Sequence, residues 1–545
     1  MTVESFDYIV IGSGSAGSVI AHRLTQDTSH TVCVLEAGGR DWNPFIHIPA
    51  GFIKTITDPS VNWLYETEPS EGTAGRRIAQ PRGKTLGGSS SINGHIYNRG
   101  QRMDFDVWAQ MGNRGWSYAE VLPYFKRNEC RRGEGDDTFR GREGRYVIED
   151  LDWPHPLCEA FMEGAVQNGI PRNPDYNGES QEGVGFFQRS IDRGVRVSSA
   201  RAYLHPAGRR KNLSVKTKSH ATRLLMEGKR VVGVEYIRGG ETHQLKANKE
   251  VILSGGTFNS PQLLQLSGIG PGDLLQEHGI EVKHELAGVG EHLRDHYPVR
   301  MEARVQNIKT INELSRGIPL AIEIVKYFTQ RKGILTLQPT LVHCFWKSDE
   351  SLQFGDLQMT FTPASYKQGV QSELEEEPGM TIAVWQQRPE STGYVRIQSA
   401  NPFDKPAIQP NYLADSIDQR VIVNGIKLGR RLFRTEPLSP YFKQEISPGD
   451  DVETDEQILQ YARQRGTTAF HPMGTCRMGP ATDAMNVVDD QLKVHGLEGL
   501  RVADASIMPT MPSANTNASS LMIGEKASDM LLGKTPLPAI ELPQN

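Results

Sequence analysis

Three glycines and an acidic residue close to the N-terminus have the spacing of a dinucleotide-binding turn. Gly12, Gly14 and Gly17 form the pattern G-x-G-x-x-G, and Glu36 follows about 20 residues later. In such a turn Gly12 permits the tight bend, Gly14 lets the backbone approach a pyrophosphate, and Gly17 lets a helix pack closely on a strand. A carboxylate at position 36 can then accept hydrogen bonds from ribose hydroxyls. The pattern predicts a site for an adenine dinucleotide and leaves NAD and FAD equally open.

A second segment, residues 82–94, is dense in glycine and in hydroxyl side chains. Such a segment exposes many backbone N–H groups, which suits close contact with a phosphate or a planar ring. A flexible linker would have a similar composition. However, Leu86, Ile92 and Ile96 are apolar anchors for which a solvated linker has no use. We therefore expect an ordered loop that contacts a cofactor.

Candidate residues for binding and proton transfer lie near the C-terminus. His471 precedes Pro472, and the residue before a proline is restricted to extended backbone, so the imidazole is held on a non-helical segment. Asn515 and Asn517 lie in a loop of small polar residues that leads into a predicted helix. The N-terminus of that helix would stabilise an anionic ring edge. Capping of the helix is an equally good interpretation of either asparagine.

Elements of a parallel α/β sheet surround the glycine turn. The sequence predicts a strand, a helix and a second strand there, over residues 6–11, 18–25 and 31–35. Another buried strand is predicted to end at Gly255, and Pro261 is expected to open a helix at 263–266.

The middle of the chain has a different pattern. Between about residue 299 and residue 445, alternating apolar residues indicate antiparallel strands. Residues 313–330 include an amphipathic helix, which we expect to pack on the protein surface. The charged, glycine-rich segment 131–145 is expected to be a surface loop.

Composition excludes several classes of function. The 545 residues include 60 basic and 65 acidic ones, a net charge of −5 without long blocks of like charge, which gives no support for nucleic-acid binding. Five widely spaced cysteines without a C-x-x-C pair favour a reducing compartment. The N-terminus lacks the basic residues of a signal peptide, and no apolar run approaches the roughly 18 residues of a membrane span. We expect a cytoplasmic protein that is monomeric or homodimeric. Peripheral association with the inner membrane is compatible with these features.

Four segments spread over essentially the whole chain resemble the glucose-methanol-choline (GMC) oxidoreductases, FAD-dependent enzymes that oxidise alcohols. They are the glycine turn, residues 83–93, residues 256–270, and His471 with residues 515–517. The amino-acid sequence as a whole, residues 196–204 for example, is most similar to bacterial choline, aliphatic-alcohol and polyethylene glycol dehydrogenases. The resemblance favours FAD over NAD, in keeping with the single dinucleotide pattern in the chain.

The resemblance implies an α/β fold (α+β overall) with two domains. A Rossmann-like FAD-binding domain is expected to be discontinuous, over residues 1–153, 197–298 and 465–545. A substrate-binding domain, built on an antiparallel sheet flanked by helices, is expected over residues 154–196 and 299–464.

Cofactor contacts of the family carry over to positions in the glycine turn, the 82–94 loop and the C-terminal region. These positions are Gly12, Ser13, Gly14, Ser15, Ala16, Gly17, Glu36, Ala37, Trp63, Arg82, Gly87, Gly88, Ser89, Asn93, Gly94, Ile96, Ala221, Asp504, Ala505 and Asn517. Some relatives attach FAD covalently through a histidine. The matching position here is Ile92, so we expect non-covalent FAD, although His95 lies nearby.

The resemblance also implies a reaction. His471 aligns with the family's catalytic histidine, and Asn515 with its histidine or asparagine partner. A primary alcohol would be oxidised to the aldehyde by hydride transfer to flavin N5, while His471 accepts the hydroxyl proton and Asn515 orients the oxygen. A histidine with a pKa near ~6.5 is largely neutral at pH 7 and can act as that base. The electrons would then pass to an external acceptor of the quinone or dye type.

The sequence is compatible with other functions to different degrees. An alcohol oxidase that converts O2 to H2O2 is the main alternative, and a lyase or decarboxylase on the same scaffold is less favoured. An NAD-dependent dehydrogenase is disfavoured, because the sequence contains no separate set of catalytic residues for that reaction. His292 and His296 have the i,i+4 spacing of metal ligands, but no third ligand stands out, so no metal is predicted. Cys476 is expected to be a packed, neutral thiol.

Overall fold

The computed structural model describes residues 3–367 and 373–542. Its strands are β1 (Glu4–Ile11), β2 (Val32–Leu35), β3 (Tyr65–Glu66), β4 (Ala79–Gln80), β5 (Glu129–Arg131), β6 (Tyr146–Ile148), β7 (Gly183–Phe186), β8 (Ile191–Asp192), β9 (Val195–Arg196), β10 (Leu213–Lys216), β11 (His220–Glu227), β12 (Arg230–Arg238), β13 (Glu241–Leu253), β14 (Ile269–Gly270), β15 (His284–Glu285), β16 (Glu291–Leu293), β17 (Val299–Val305), β18 (Val342–Trp346), β19 (Leu357–Thr362), β20 (Gly379–Gln386), β21 (Gly393–Arg396), β22 (Ala407–Gln409), β23 (Phe442–Ser447) and β24 (Leu500–Val502). Its α-helices are α1 (Ser15–Leu24), α2 (Pro44–His47), α3 (Phe52–Thr55), α4 (Arg102–Gln110), α5 (Tyr118–Asn128), α6 (Pro156–Gln167), α7 (His205–Ala207), α8 (Gly256–Leu266), α9 (Gly272–Glu277), α10 (Ile311–Leu314), α11 (Gly317–Gln330), α12 (Ser416–Phe433), α13 (Asp455–Arg465) and α14 (Thr516–Leu531).

The elements predicted around the glycine turn form the centre of a seven-stranded sheet. The strand order is β10-β2-β1-β13-β12-β11, and β24 pairs with the C-terminal end of β13. β10, β2, β1, β13 and β24 run parallel to one another, whereas β12 and β11 extend the sheet in antiparallel fashion. The predicted strands and helix lie within a few residues of β1, α1 and β2. Strands buried on both faces are continuous apolar runs, which makes them easy to recognise in a sequence.

A second sheet has six strands in the order β23-β17-β20-β19-β18-β7, and every neighbouring pair is antiparallel. Helix α12 packs on one face of it. A Cβ atom at Gly425 would lie 2.8 Å from Leu357 Cδ1, so glycine is what lets this helix approach the strands so closely. The predicted fold class, a Rossmann-like half joined to an antiparallel half, is confirmed. The predicted domain boundaries stay a prediction.

Helix α8 begins at Gly256, earlier than the start predicted at residue 263. Pro261 lies inside the helix and has no N–H to donate to the carbonyl of Thr257. The hydroxyl of Thr475 donates to that carbonyl instead, at 2.6 Å, and the Thr257 hydroxyl donates to the carbonyl of Pro472 at 2.8 Å. Helix α8 therefore anchors the segment that carries His471.

The expectation of a surface loop over residues 131–145 is wrong in part. The side chain of Arg140 is fully buried and forms an ion pair with Glu129, which also pairs with the buried Arg99. A charged composition suggests exposure, but opposite charges that pair can be buried together.

The amphipathic segment 313–330 forms α10 and α11 at the surface. Helix α11 turns an apolar stripe towards solvent, since Ile318, Ile322, Val325 and Phe328 are each at least 60% exposed. The helix nevertheless packs on the protein surface as expected, because Tyr327 is buried and Leu320 packs against the core of the second sheet. Among the described helices, none combines the length and apolar character needed to cross a membrane.

Candidate active site

A cavity of about 560 Å³ lies between the two sheets, within the size range of ligand and cofactor sites. It is lined by His471, Asn515 and all the predicted cofactor contacts except Gly17 and Gly87. The fold thus brings the glycine turn, the 82–94 loop and the C-terminal segment together around one space.

Gly17 and Gly87 do not line the cavity and instead shape the backbone around it, so their contact with the cofactor stays a prediction. A Cβ atom at Gly17 would lie 2.1 Å from the carbonyl oxygen of Gly12. Gly87 has a φ of +87°, and a Cβ there would lie 2.3 Å from Ser91 Oγ. Both positions need glycine for close backbone packing and for the turn.

The glycine turn forms an open cradle that fits a pyrophosphate. Gly14 is the N-cap of α1, and a Cβ atom there would meet no atom within 4 Å. A Cβ at Gly88 would lie 2.8 Å from Gly14 Cα, so the 82–94 loop closes one side of the cradle. The N-terminus of α1 adds backbone N–H groups and a positive dipole end. The donor set and the open space suit an anionic dinucleotide.

The carboxylate of Glu36 lies at the same end of the cavity. It accepts hydrogen bonds from the Ser13 backbone N–H at 3.1 Å, the Ser13 hydroxyl at 2.5 Å and the Gly38 N–H at 2.8 Å. Burial raises the pKa of Glu36 above its ordinary value. These contacts fix the acid at the edge of the cradle, where ribose hydroxyls would bind.

The 82–94 loop is ordered because buried charged and apolar groups hold it. The guanidinium of Arg196 is buried and donates to Asn93 Oδ1 at 2.7 Å and to the carbonyl of Ile46 at 2.8 Å. Burial lowers the pKa of Arg196 to about 10. Ile92 packs with Ile46 and Val61 in a small apolar cluster, so the position used for covalent attachment in some relatives carries an unreactive side chain.

The nearby histidine is held in another way. His95 Nε2 lies 3.1 Å from the carbonyl of Pro49, and burial lowers the pKa of His95 well below its ordinary value.

At the far edge of the cavity, Trp63 stacks on Tyr65 with 5.7 Å between ring centroids, and the Lys84 ammonium lies 4.3 Å from the Trp63 ring centroid.

The segment around His471 is held by β16 and by the connection between β16 and β17. The backbone N–H of His471 donates to Asp295 Oδ1 at 2.8 Å, while Asp295 Oδ2 accepts from the Thr468 hydroxyl at 2.6 Å. Gly474 has a φ of +94°, and a Cβ there would lie 2.5 Å from the carbonyl oxygen of His292. The imidazole of His471 is therefore presented by a rigid backbone, as the proline after it predicts.

A chain of hydrogen bonds sets the tautomer of His471. The Gln387 carbonyl can only accept, so His296 Nε2, 2.6 Å away, must donate to it. In neutral His296 the other nitrogen, Nδ1, is then an acceptor, and it lies 2.9 Å from His471 Nδ1. His471 consequently carries its proton on Nδ1 and leaves a lone pair on Nε2, which lies 2.8 Å from Asn515 Nδ2.

The surroundings also keep His471 neutral. Burial, together with the neighbouring His296 and Arg82, lowers the pKa of His471 well below its ordinary value. Arg82 is itself oriented by the carbonyl of Phe470, to which it donates at 2.8 Å. A buried neutral imidazole with an unprotonated Nε2 is a competent proton acceptor.

The two C-terminal asparagines have different roles in the structure. Asn515 occupies the N-cap position of α14, but its side chain makes no capping bond and meets His471 instead. Asn517 Oδ1 accepts from the Ser15 hydroxyl at 2.7 Å, and its amide donates to the Tyr146 hydroxyl at 2.9 Å. Asn517 thus joins α14 to the glycine turn.

Sequence reasoning missed His296, Asp295 and Gln387 as parts of this site. His296 has the spacing of a metal ligand with His292, yet it contacts His471. Within residues 3–367 and 373–542, no group of three or more metal-ligating side chains comes together. Burial raises the pKa of the Cys476 thiol well above its ordinary value, which fits the packed thiol that was expected.

Family models match most of the chain. The N-terminal model described as GMC oxidoreductase matches residues 6–298, and the C-terminal model of the same description matches residues 389–524. The chain belongs to the GMC oxidoreductase family. FAD is the dinucleotide for which the cavity is built.

Full-length relatives are similar to the chain. It is 42% identical over 540 residues to an oxygen-dependent choline dehydrogenase of Staphylococcus xylosus, covering 98% of this chain and 96% of the relative. It is 40% identical over 539 residues to an alcohol dehydrogenase [acceptor] of Pseudomonas putida, covering 98% and 97%.

Solved structures share the fold. A pyridoxine 4-oxidase from Mesorbium loti superposes with a TM-score of 0.87 at 30% identity, over 96% of this chain and 98% of the other. A formate oxidase of Aspergillus oryzae RIB40, whose FAD modification was examined, superposes with a TM-score of 0.90 at 26% identity, over 98% and 99%.

Proposed function

We propose that the protein oxidises a primary alcohol to the aldehyde, with His471 as the general base. The observation that carries this proposal is the hydrogen-bond chain from the Gln387 carbonyl through His296 to His471. That chain leaves the unprotonated Nε2 of a buried, neutral imidazole in the wall of the FAD cavity, next to Asn515.

The residues can perform the proton part of the reaction. An alcohol hydroxyl is too weak an acid to ionise at neutral pH, so loss of its proton needs a base. His471 Nε2 accepts the hydroxyl proton, and the amide of Asn515, 2.8 Å from Nε2, holds the alcohol oxygen beside it. Bound FAD supplies the acceptor for the hydride.

For the electron acceptor we propose an external molecule of the quinone or dye type. The support is the likeness to the Pseudomonas putida enzyme, whose name specifies an acceptor. An oxidase that uses O2 is the second candidate, because a pyridoxine 4-oxidase shares the fold at 30% identity. Cytoplasmic location, a monomeric or homodimeric state and association with the inner membrane stay predictions.

The test is anaerobic reduction of the bound flavin by alcohols. We expect a yellow protein whose flavin absorbance bleaches when a primary alcohol is added without oxygen. Reoxidation by a quinone that outpaces reoxidation by air, with little H2O2, would support the dehydrogenase. Stoichiometric H2O2 in air would favour the oxidase, and failure of every primary alcohol in a broad panel to bleach the flavin would contradict the proposal.

A further inference from the structure

The part of the cavity beyond His471 is closed by an uncharged face of the second sheet. Strands β19 and β20 alternate, so that one set of side chains packs in the core and the other lines the cavity. The lining set, called here the substrate wall, comprises Gln358, Thr360, Thr362, Thr381, Ala383 and Trp385. Apolar side chains also line the cavity, namely Ile311, Leu320, Ile334, Leu335, Leu337 and Leu374.

Carboxylates of the cavity lie at its cofactor end. Among the described lining residues, the acidic ones are Glu36 and Asp504. Glu36 is held at the glycine turn, and Asp504 Oδ2 accepts from the Gly256 N–H at 2.8 Å and the Ser260 hydroxyl at 2.6 Å. The sequence over 368–372, outside the described residues, contains no acidic residue. Neither lining carboxylate belongs to the substrate wall.

One acid beside the substrate wall is held by other contacts. Glu302 on β17 pairs with Thr381 in the sheet, but it does not line the cavity and is only 5% exposed. Its carboxylate accepts the Tyr366 backbone N–H at 3.1 Å and the Ser447 hydroxyl at 3.5 Å. On the same strand, Arg300 does line the cavity, with its guanidinium carbon 4.4 Å from the centroid of the Tyr366 ring. The charged side chain that β17 contributes to the cavity is therefore that of Arg300, and its charge is positive.

This arrangement disfavours a cationic substrate. A buried cation without a counter-ion loses several kcal/mol of hydration free energy, and a quaternary ammonium group is normally balanced by an aromatic cage and a carboxylate. Here the face of Tyr366 is already covered by the guanidinium of Arg300, which would repel a second cation. Gln358 and Thr360, by contrast, make no side-chain hydrogen bond with any described residue. They can bind oxygen atoms of an uncharged ligand.

We infer that the substrate is an uncharged primary alcohol, and that choline and other quaternary ammonium alcohols are discriminated against. This inference rests on the proposed function, since it concerns the substrate of the same site. It separates the chain from the activity that the name of its Staphylococcus xylosus relative specifies.

The test compares choline with 3,3-dimethylbutan-1-ol, in which a tert-butyl group replaces the trimethylammonium group at nearly the same shape. With the holoenzyme and a dye acceptor, we expect kcat/KM for the neutral alcohol to exceed that for choline by at least about 100-fold. Equal values, or a preference for choline, would overturn the inference while leaving alcohol oxidation intact. Failure of both compounds and of all other primary alcohols would instead count against the proposed function.

Two variants locate the cause of the preference. Gln358→Glu places a carboxylate on the substrate wall, and we expect the ratio of kcat/KM for choline to that for the neutral alcohol to rise at least tenfold. Glu302→Gln is the matched control, because it removes an acid from the same sheet without touching the wall, and the ratio should stay within threefold. A tenfold fall in Glu302→Gln would show that Glu302 serves a cationic substrate, which would overturn the inference. An unchanged ratio in a folded, FAD-loaded Gln358→Glu variant would also contradict it.

Discussion

Replacing His296 by leucine should slow flavin reduction without removing FAD. In the native site the Nδ1–H of His471 donates to His296, 2.9 Å away, and the proton-accepting lone pair is on Nε2. Leucine cannot accept that hydrogen bond, so the native tautomer would leave a buried N–H without a partner. Such a group costs about 1–3 kcal/mol, which favours the other tautomer, with its proton on Nε2, by the same amount.

That free-energy difference gives the size of the effect. If about 1–3 kcal/mol separates the tautomers, the competent one falls to between about a sixth and less than a hundredth of the molecules, and the rate constant falls about 6- to 160-fold. The measurement is anaerobic stopped-flow reduction of the bound flavin by a saturating primary alcohol, with FAD content and thermal unfolding recorded for each variant.

Two further variants separate tautomer control from general damage. In His296→Gln the amide oxygen can accept from His471 and the amide N–H can donate to the Gln387 carbonyl, so the rate should stay within about fivefold of the native value. His292→Asn alters a histidine of the same segment that does not contact His471, and the rate should stay within about threefold. A folded, FAD-loaded His296→Leu variant with the native rate would refute the reasoning.

Other predictions concern the cofactor cradle, acid stability and buried charge. Gly14→Val should fold but lose at least about tenfold in FAD affinity, because the valine side chain would enter the cradle. Fluorescence titration of the apoprotein measures this affinity. The control Gly39→Ala, where a Cβ also meets nothing within 4 Å, should bind FAD normally. Burial lowers the pKa of His343 to about 3, below its unfolded value near 6.5, so the unfolded state takes up the proton first and stability is lost as pH falls through that window. Denaturant unfolding between pH 4 and 6.5 should therefore be less pH-dependent in His343→Phe, by up to about 1.4 kcal/mol per pH unit, and an unchanged slope would contradict this. Glu129→Gln should reduce the free energy of unfolding by about 3–5 kcal/mol because two buried arginines lose their counter-ion, and a loss below about 1 kcal/mol in the same unfolding measurement would speak against burial of the pair.

The cofactor half of the site could be predicted from the sequence because its signals are local. The glycines at 12, 14 and 17 lie between two apolar strands, and Glu36 directly follows the second of them. Each of these features can be recognised within a window of a few residues. Close packing was expected at Gly17, and a Cβ atom there would lie 2.1 Å from the carbonyl oxygen of Gly12.

The proton-transfer half depends on contacts that spacing does not reveal. His296 and His471 are 175 positions apart, and only the folding of the segment before β17 against the Pro472 loop brings their rings together. The two histidines at 292 and 296 suggested a metal pair because i,i+4 spacing has that meaning only on a helix. His292 lies on strand β16 with a φ of +61°, and this backbone directs the segment differently.

The start of helix α8 was also predicted wrongly, because of a proline. Pro261 indicates a helix start by its own conformational limits, yet a distant hydroxyl, that of Thr475, satisfies the carbonyl that the proline leaves free. The partner of a buried polar group decides such cases, and it is set by the fold.

The rate of anaerobic flavin reduction in His471→Gln tests the central claim most directly. If His471 is the base, the variant should retain FAD and lose about 10²- to 10⁴-fold in the rate constant with a saturating primary alcohol at pH 7. Its rate should then rise steeply between pH 8 and pH 10 as hydroxide replaces the missing base, while the native rate stays flat, because the pKa of His471 is held well below its ordinary value. A variant that binds FAD and reduces it within tenfold of the native rate at pH 7 would contradict the account.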